Sequence, residues 1–144
     1  MNTNKPVGLT ASVGFQIGVR RTLPFFQEEA WELLTSTRGR KIWLGDSETA
    51  QFVKGHKFVT QEGTTGEFRV AKPQEQLRLT WQPAGFLNAS TLQIRLLPAA
   101  SPGKTTISFH QEKLESAEQR EEMKVHWEEV ISGLLALSED KSLR

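Results

Sequence analysis

The chain has 144 residues, a formal net charge of +1 at pH 7 and no cysteine. This length suits one domain whose hydrophobic core is large enough to be stable without covalent crosslinks. The lack of cysteine excludes disulfides, thiolate metal sites and a cysteine nucleophile, and the near-neutral charge argues against nucleic acid as a partner. No apolar run is long enough to cross a membrane, and the first residues do not show the charged segment and following apolar segment of a signal peptide. We therefore expect a cytoplasmic protein.

The first part of the chain predicts one strand followed by two short helices. Val13, Phe15, Ile17 and Val19 alternate with glycine or polar residues, which is the period of a half-buried strand. Pro24 then favours a helix start, because its missing N–H has no partner in the first turn. We predict that one helical face is buried by four residues: Phe26, Ala30, Leu33 and Leu34.

Five short alternating segments follow, and they predict five further strands. They lie near residues 57–61, 66–70, 77–81, 92–96 and 105–109. The apolar positions of these strands, which include Val70, are predicted to point inward, whereas the alternate positions are mostly polar. One face of the sheet is therefore predicted to be buried and the other exposed to solvent. Such short connections favour antiparallel neighbours over crossover helices.

The chain ends in a predicted long helix over residues 117–138. Ser116 precedes it and Gln119 lies three residues later, as in a capping box. Its apolar stripe consists of Met123, Trp127, Val130, Ile131, Leu134 and Leu135. We therefore predict an α+β fold with a curved six-stranded antiparallel sheet around a long C-terminal helix, and two short helices after the first strand. The domain is predicted over residues 13–138, with a flexible N-terminal tail over 1–12 and a C-terminal tail over 139–144.

Several motifs, taken in this order, resemble one family. They are Trp43-Leu44-Gly45, Gly66-Glu67-Phe68, Leu77-Arg78-Leu79-Thr80-Trp81 and the late Trp127. This pattern is similar to that of the activator-of-heat-shock-chaperone-ATPase homologues, within the START-like SRPBCC superfamily. The resemblance covers roughly residues 13–138. It implies a helix-grip fold (START-like, Bet v-like) with a cavity between the sheet and the last helix.

The resemblance also implies a function, because relatives bind apolar or amphipathic small molecules. We expect a small hydrophobic ligand, aromatic or lipid-like, and a role as carrier or sensor. The predicted ligand-binding residues are Phe68, Leu79, Trp81, Phe86, Ile94, Phe109, Gln111, Met123, Trp127 and Ile131. The alternative is that these side chains pack a solid core. Gln111 is the predicted polar anchor, because its amide both donates and accepts; alternatively the strand frays there and Gln111 faces water.

Two other functions stay open. One is a co-chaperone-like interaction protein that modulates a heat-shock chaperone ATPase. The other is a cyclase or hydrolase that uses the same cavity, which requires a titratable group with a perturbed pKa inside it. The histidines are the only candidates for that group, and we nominate no catalytic residue, cofactor or metal.

The loop over residues 83–88 joins two predicted strands and has an apolar centre. Phe86 and Leu87 stand among proline, glycine and asparagine. We hypothesise that both side chains fold over the cavity mouth as a lid. The alternative is that they fill a gap at the end of the sheet.

Overall fold

The computed structural model describes residues 9–10, 14–47 and 50–140. The strands are β1 (Leu9–Thr10), β2 (Gly14–Leu23), β3 (Lys57–Val59), β4 (Thr65–Lys72), β5 (Gln76–Gln82), β6 (Ser90–Pro98) and β7 (Thr105–Leu114). The helices are α1 (Gln27–Thr35), α2 (Thr37–Trp43) and α3 (Ala117–Glu139). The predicted fold class is confirmed, and the structure adds a two-residue strand within the predicted N-terminal tail. The rest of that tail and residues 141–144 lie outside the described residues.

The strands form one antiparallel sheet in the order β1-β2-β7-β6-β5-β4-β3. The long connection from β2 to β3 carries α1 and α2 across the sheet, so that β2 pairs with the last strand; Val19 stands opposite Phe109. The register shifts between Phe15 and Ile17, and again between Phe68 and Val70. Such bulges bend a strand and increase its twist, which curves the sheet around α3.

The second register shift overturns the predicted inward orientation of Val70. Val70 stands opposite Arg78, on the polar side of β5. Ala71 packs against the core in its place. One extra residue at the bulge moves every later side chain of the strand to the other face.

The prediction that Phe26 lies on the buried face of the first helix is also wrong. Phe26 is the residue before α1, its backbone is extended, and 64% of it is exposed. Phe25 is buried in its stead, whereas Ala30, Leu33 and Leu34 are buried as predicted.

The long helix begins with the predicted cap. The backbone N–H of Gln119 donates to Oγ of Ser116 at 3.0 Å, and the N–H of Glu115 donates to the Gln119 amide oxygen at 2.8 Å. The first bond satisfies a donor that the helix itself leaves free, and the second ties the residue before the N-cap to the first turn. The buried residues of α3 are Trp127, Val130, Ile131 and Leu134. They close the core against the sheet and the two short helices.

Candidate ligand site at the first half of the long helix

A cleft of about 390 Å³ lies between the end of α2, the end of β5 and the first half of α3. Its size is near the lower end of the range for small-molecule sites. The lining residues are Lys41, Ile42, Trp43, Leu44, Gly45, Glu62, Thr64, Trp81, Pro83, Phe86, Met123 and His126. Four separated segments of the chain therefore converge on it.

The apolar walls of the cleft include the aromatic rings of Trp43, Trp81 and Phe86. The Trp81 ring packs on Trp127 at a centroid distance of 5.1 Å and meets Phe86 edge to face at 6.0 Å. On the opposite wall, the indole N–H of Trp43 donates to the backbone oxygen of Leu34 at 2.8 Å, which fixes that ring. Flat rings and the adaptable thioether of Met123 suit a flat apolar ligand.

Behind this cleft the core is closed. Phe109 and Trp127 stack with centroids 4.9 Å apart and planes 19° apart. Of the ten predicted ligand-binding residues, Trp81, Phe86 and Met123 line the cleft. The other seven are at most 1% exposed and lie in the core behind it: Phe68, Leu79, Ile94, Phe109, Gln111, Trp127 and Ile131.

Gln111 faces inward as predicted and is fully buried. Both ends of its amide already have partners. Its nitrogen donates to Oγ of Ser90 at 2.9 Å, and its oxygen accepts the indole N–H of Trp127 at 2.8 Å. In this conformation Gln111 joins the sheet to α3.

Two polar atoms of the cleft residues have no partner. Nε1 of Trp81 and Nε2 of His126 are shielded from solvent and form no hydrogen bond within the described part of the chain. Their ring centroids are 5.9 Å apart. A buried polar group without a partner costs about 1–3 kcal/mol, so it calls for an explanation.

His126 is one of two titratable groups at this site whose pKa is perturbed. Burial of the imidazole lowers the pKa of His126, and the nearby Glu129 carboxylate opposes that effect. The histidine is therefore neutral at pH 7. It is therefore a titratable group with a perturbed pKa, which an enzymatic function would require at this site. The sequence named the histidines only as a group, although the spacing of three residues between Met123 and His126 is a signal for a shared helical face.

The rim of the cleft carries one acid and one base, Glu62 and Lys41. Oε1 of Glu62 accepts the backbone N–H of Asp46 at 3.0 Å. This hydrogen bond is the main cause that lowers the pKa of Glu62, and the Lys41 charge acts in the same direction. The rim charges therefore offset one another.

The prediction that Leu87 folds over the cavity mouth is wrong, because Leu87 is 84% exposed. Phe86 does face the cleft, and its backbone oxygen accepts a hydrogen bond from Nε2 of Gln82 at 3.0 Å. Of the two apolar residues of this loop, only Phe86 therefore lies against the cleft.

A family model described as "Activator of Hsp90 ATPase homolog 1-like protein" matches residues 25–139. The chain belongs to this family. The resemblance drawn from the motifs is thereby confirmed. A comparison with curated protein sequences found no match.

Solved structures similar to this Hsp90-activator-like chain share its fold. DynU16, from the dynemicin biosynthetic locus, has a TM-score of 0.76 and 19% identity; the match covers 87% of this chain and 47% of DynU16, so the chain spans about half of that protein. CalU16 from Micromonospora echinospora has a TM-score of 0.70 and 20% identity, over 83% of this chain and 71% of CalU16. An HSP90 activator from Plasmodium falciparum has a TM-score of 0.59 and 14% identity, over 71% of this chain and 75% of that protein.

Two features are absent from the part of the chain that the structure describes. None of the helices there combines the length and apolar character that crossing a membrane requires. Within residues 14–47 and 50–140, no three histidine, aspartate or glutamate side chains are grouped so as to hold a metal ion.

Proposed function

We propose that the protein binds a small, mainly apolar ring compound in the cleft between Trp43, Trp81 and Met123, as a carrier or sensor. The observation that carries this proposal is the aromatic lining of the cleft, next to a core that is otherwise closed. Membership of a family with a helix-grip fold supports it.

The cleft is large enough for useful affinity without an ion pair. Burying ~200 Å² of apolar ligand surface contributes about 5 kcal/mol at roughly 25 cal/mol per Å². Binding costs reduce this figure, whereas a larger ligand or a hydrogen bond adds to it. Two-ring compounds are therefore suitable as weak first probes.

An NMR titration of isotope-labelled protein tests the proposal. The ligands are a mixed set of fatty acids, sterols, flavonoids and aromatic polyketide-like compounds. We expect shifts at the Trp81 indole N–H and the Met123 methyl group. The Trp127 indole N–H, which is bonded to Gln111, serves as an internal reference for the closed core. No shift at Trp81 or Met123 at saturating ligand would overturn the proposal.

A matched pair of variants locates the site. Met123→Trp places a large ring in the cleft and should abolish the ligand-induced shifts. Val125→Trp adds the same ring to the same helix at a position that is 53% exposed, and should leave binding unchanged. Equal binding by both variants would place the ligand elsewhere.

A partner-protein function is a second candidate, favoured by the family description and by the HSP90 activator among the structural neighbours. It predicts that the purified chain changes the ATPase rate of an Hsp90-type chaperone. It also predicts that Met123→Trp, which fills the cleft, leaves that effect intact. The same measurement with ligand present would show whether the two functions are linked.

An enzymatic function has one observation in its favour, the partly buried His126 with a lowered pKa at the cleft. It predicts that a bound ligand is converted to a product of different mass or retention time. It further predicts that His126→Gln lowers the rate of conversion more than the affinity. Mass spectrometry of ligand recovered after long incubation measures this.

A further inference from the structure

The two unpartnered nitrogen atoms of the cleft come from elements on opposite sides of it. Trp81 stands near the end of β5, and His126 is on the third turn of α3. The structure leaves four buried side-chain atoms without a partner in the described part of the chain, and the other two belong to Ser47 and His56. Neither of those two residues lines this cleft. The other two atoms, Nε1 of Trp81 and Nε2 of His126, thus both belong to residues of this cleft.

The two nitrogen atoms differ in what they need. The indole nitrogen of Trp81 is a donor only, so it needs an oxygen with a lone pair. The neutral imidazole of His126 has one protonated and one unprotonated nitrogen. With the proton on Nδ1, Nε2 of His126 needs a donor. A hydroxyl group supplies both, because its oxygen accepts one hydrogen bond while its proton makes another.

We infer that the ligand of this cleft is a hydroxylated ring compound whose hydroxyl group bridges Nε1 of Trp81 and Nε2 of His126. This inference rests on the proposed function and names its ligand class. The two ring centroids are 5.9 Å apart, so the rings are close neighbours that one ligand group can contact together. The aromatic walls accommodate the rest of the ring system.

Other ligand groups fit the pair less well. An ammonium has no lone pair for Trp81, and a carbonyl has no proton for Nε2 of His126 when the imidazole proton is on Nδ1. A carboxylate would have to give up its hydration next to an uncharged imidazole. The Glu129 carboxylate acts on His126 from the same helix, and Lys41 and Glu62 line the same cleft. Because Glu62 and Lys41 offset one another, the field at the site favours a neutral ligand.

Entry to the pair requires a movement. Neither nitrogen is reached by water in this conformation, and the ring of Phe86 meets Trp81 edge to face at 6.0 Å. Phe86 lies in the loop over residues 83–88, where its backbone oxygen accepts a hydrogen bond from Gln82 and the end of the loop is held by bonds from Asn88 to the Glu115 carboxylate. Displacement of this one ring would expose the edge of the indole.

The test compares two probes of nearly equal shape, 2-naphthol and 2-methylnaphthalene, in which a methyl group replaces the hydroxyl. Affinities are measured by NMR titration of the full chain at pH 7.5. Wild-type protein should bind 2-naphthol more tightly. In Trp81→Phe, and separately in His126→Leu, the ratio of the two affinities should fall by about tenfold, because each variant removes one hydrogen bond to the hydroxyl.

Met123→Leu is the matched control, since it alters the wall of the cleft and keeps both nitrogen atoms. It should change the two affinities in parallel and leave their ratio as in the wild type. Circular dichroism confirms that each variant is folded, and His126→Leu, at a partly buried position, keeps the test valid if Trp81→Phe unfolds. Equal wild-type affinity for the two probes, or an unchanged ratio in His126→Leu, would overturn this inference and leave the proposed function standing. Failure of both probes to bind would overturn this inference, and the titration with the mixed ligand set would then decide whether the proposed function stands.

Discussion

The indole nitrogen of Trp127 donates a 2.8 Å hydrogen bond to the side-chain oxygen of Gln111, and both residues are fully buried. The bond is the first of a buried series. Gln111 donates to Oγ of Ser90, and Ser90 donates to the backbone oxygen of Trp81 at 2.6 Å. Side chains on α3, β7 and β6 are thereby linked to the backbone of β5. This series fixes the strand that carries Trp81 relative to the helix that carries His126.

Replacement of Gln111 by leucine should lower the free energy of unfolding by about 2–3 kcal/mol, because the Trp127 N–H is left buried without an acceptor. Urea denaturation followed by tryptophan fluorescence measures this loss. Gln51→Leu is the matched control at an exposed position and should change stability by less than about 0.5 kcal/mol. Similar losses in the two variants would show that the buried series contributes nothing of its own.

Gly66 is required by close packing, which is the physical basis of the Gly66-Glu67-Phe68 motif. A Cβ atom at this position would overlap the carbonyl oxygen of Thr80 and lie 2.6 Å from the ring of Phe58. Gly66→Ala should therefore cost about 2–3 kcal/mol of stability, as overpacking does. Thermal unfolding followed by circular dichroism measures it.

Gly18→Ala is the control for that change, since Gly18 is also in a strand. The nearest atom to an added Cβ there is Cδ2 of His110 at 3.7 Å, an ordinary contact. Alanine at this position should be neutral or stabilising by up to about 1 kcal/mol, because glycine loses more backbone entropy on folding. A large loss in Gly18→Ala would mean that glycine is needed in these strands for another reason.

The sequence was sufficient for the fold because its patterns are regular and local. The alternation in β5 and the stripe of α3 both survive in the structure. The errors fall where a single residue breaks a pattern. No residue type marks the bulge that turns Val70 outward, and the start of α1 lies one residue beyond Phe26.

The candidate site was less predictable because it depends on where strands end. Leu79 and Trp81 both point inward from β5, yet only Trp81, near the end of the strand, reaches the cleft. The alternation of apolar and polar residues shows which face of the sheet a side chain lies on. It does not show how far that side chain lies from the cleft. Ile42 and Thr64 line the same cleft from segments that are distant in sequence, and no spacing pattern brings such segments together.

Phe86→Ala should accelerate both association and dissociation of a bound ring compound, by about tenfold in dissociation, because the ring that covers the edge of Trp81 is removed. Stopped-flow tryptophan fluorescence with 2-naphthol measures both rates. Leu87→Ala is the matched control, because Leu87 is the adjacent residue in the same loop and is exposed. Unchanged rates in Phe86→Ala would exclude a lid function for this side chain.

The lowered pKa of His126 makes the stability of the protein depend on pH in a defined direction. Its ordinary value of about 6.5 applies to the unfolded chain, whereas burial lowers the pKa of His126 in the folded state. As pH falls below about 6.5, the unfolded chain takes up a proton that the folded protein does not, so this residue increasingly favours unfolding until the lowered folded pKa is passed. The wild-type protein should therefore lose stability relative to His126→Leu between pH 7.5 and pH 5. Urea denaturation of both proteins across this range measures the difference, and the contributions of the other two histidines cancel because both proteins contain them. A difference in unfolding free energy that stays constant with pH would show that the imidazole of His126 is as well solvated in the folded protein as in the unfolded chain.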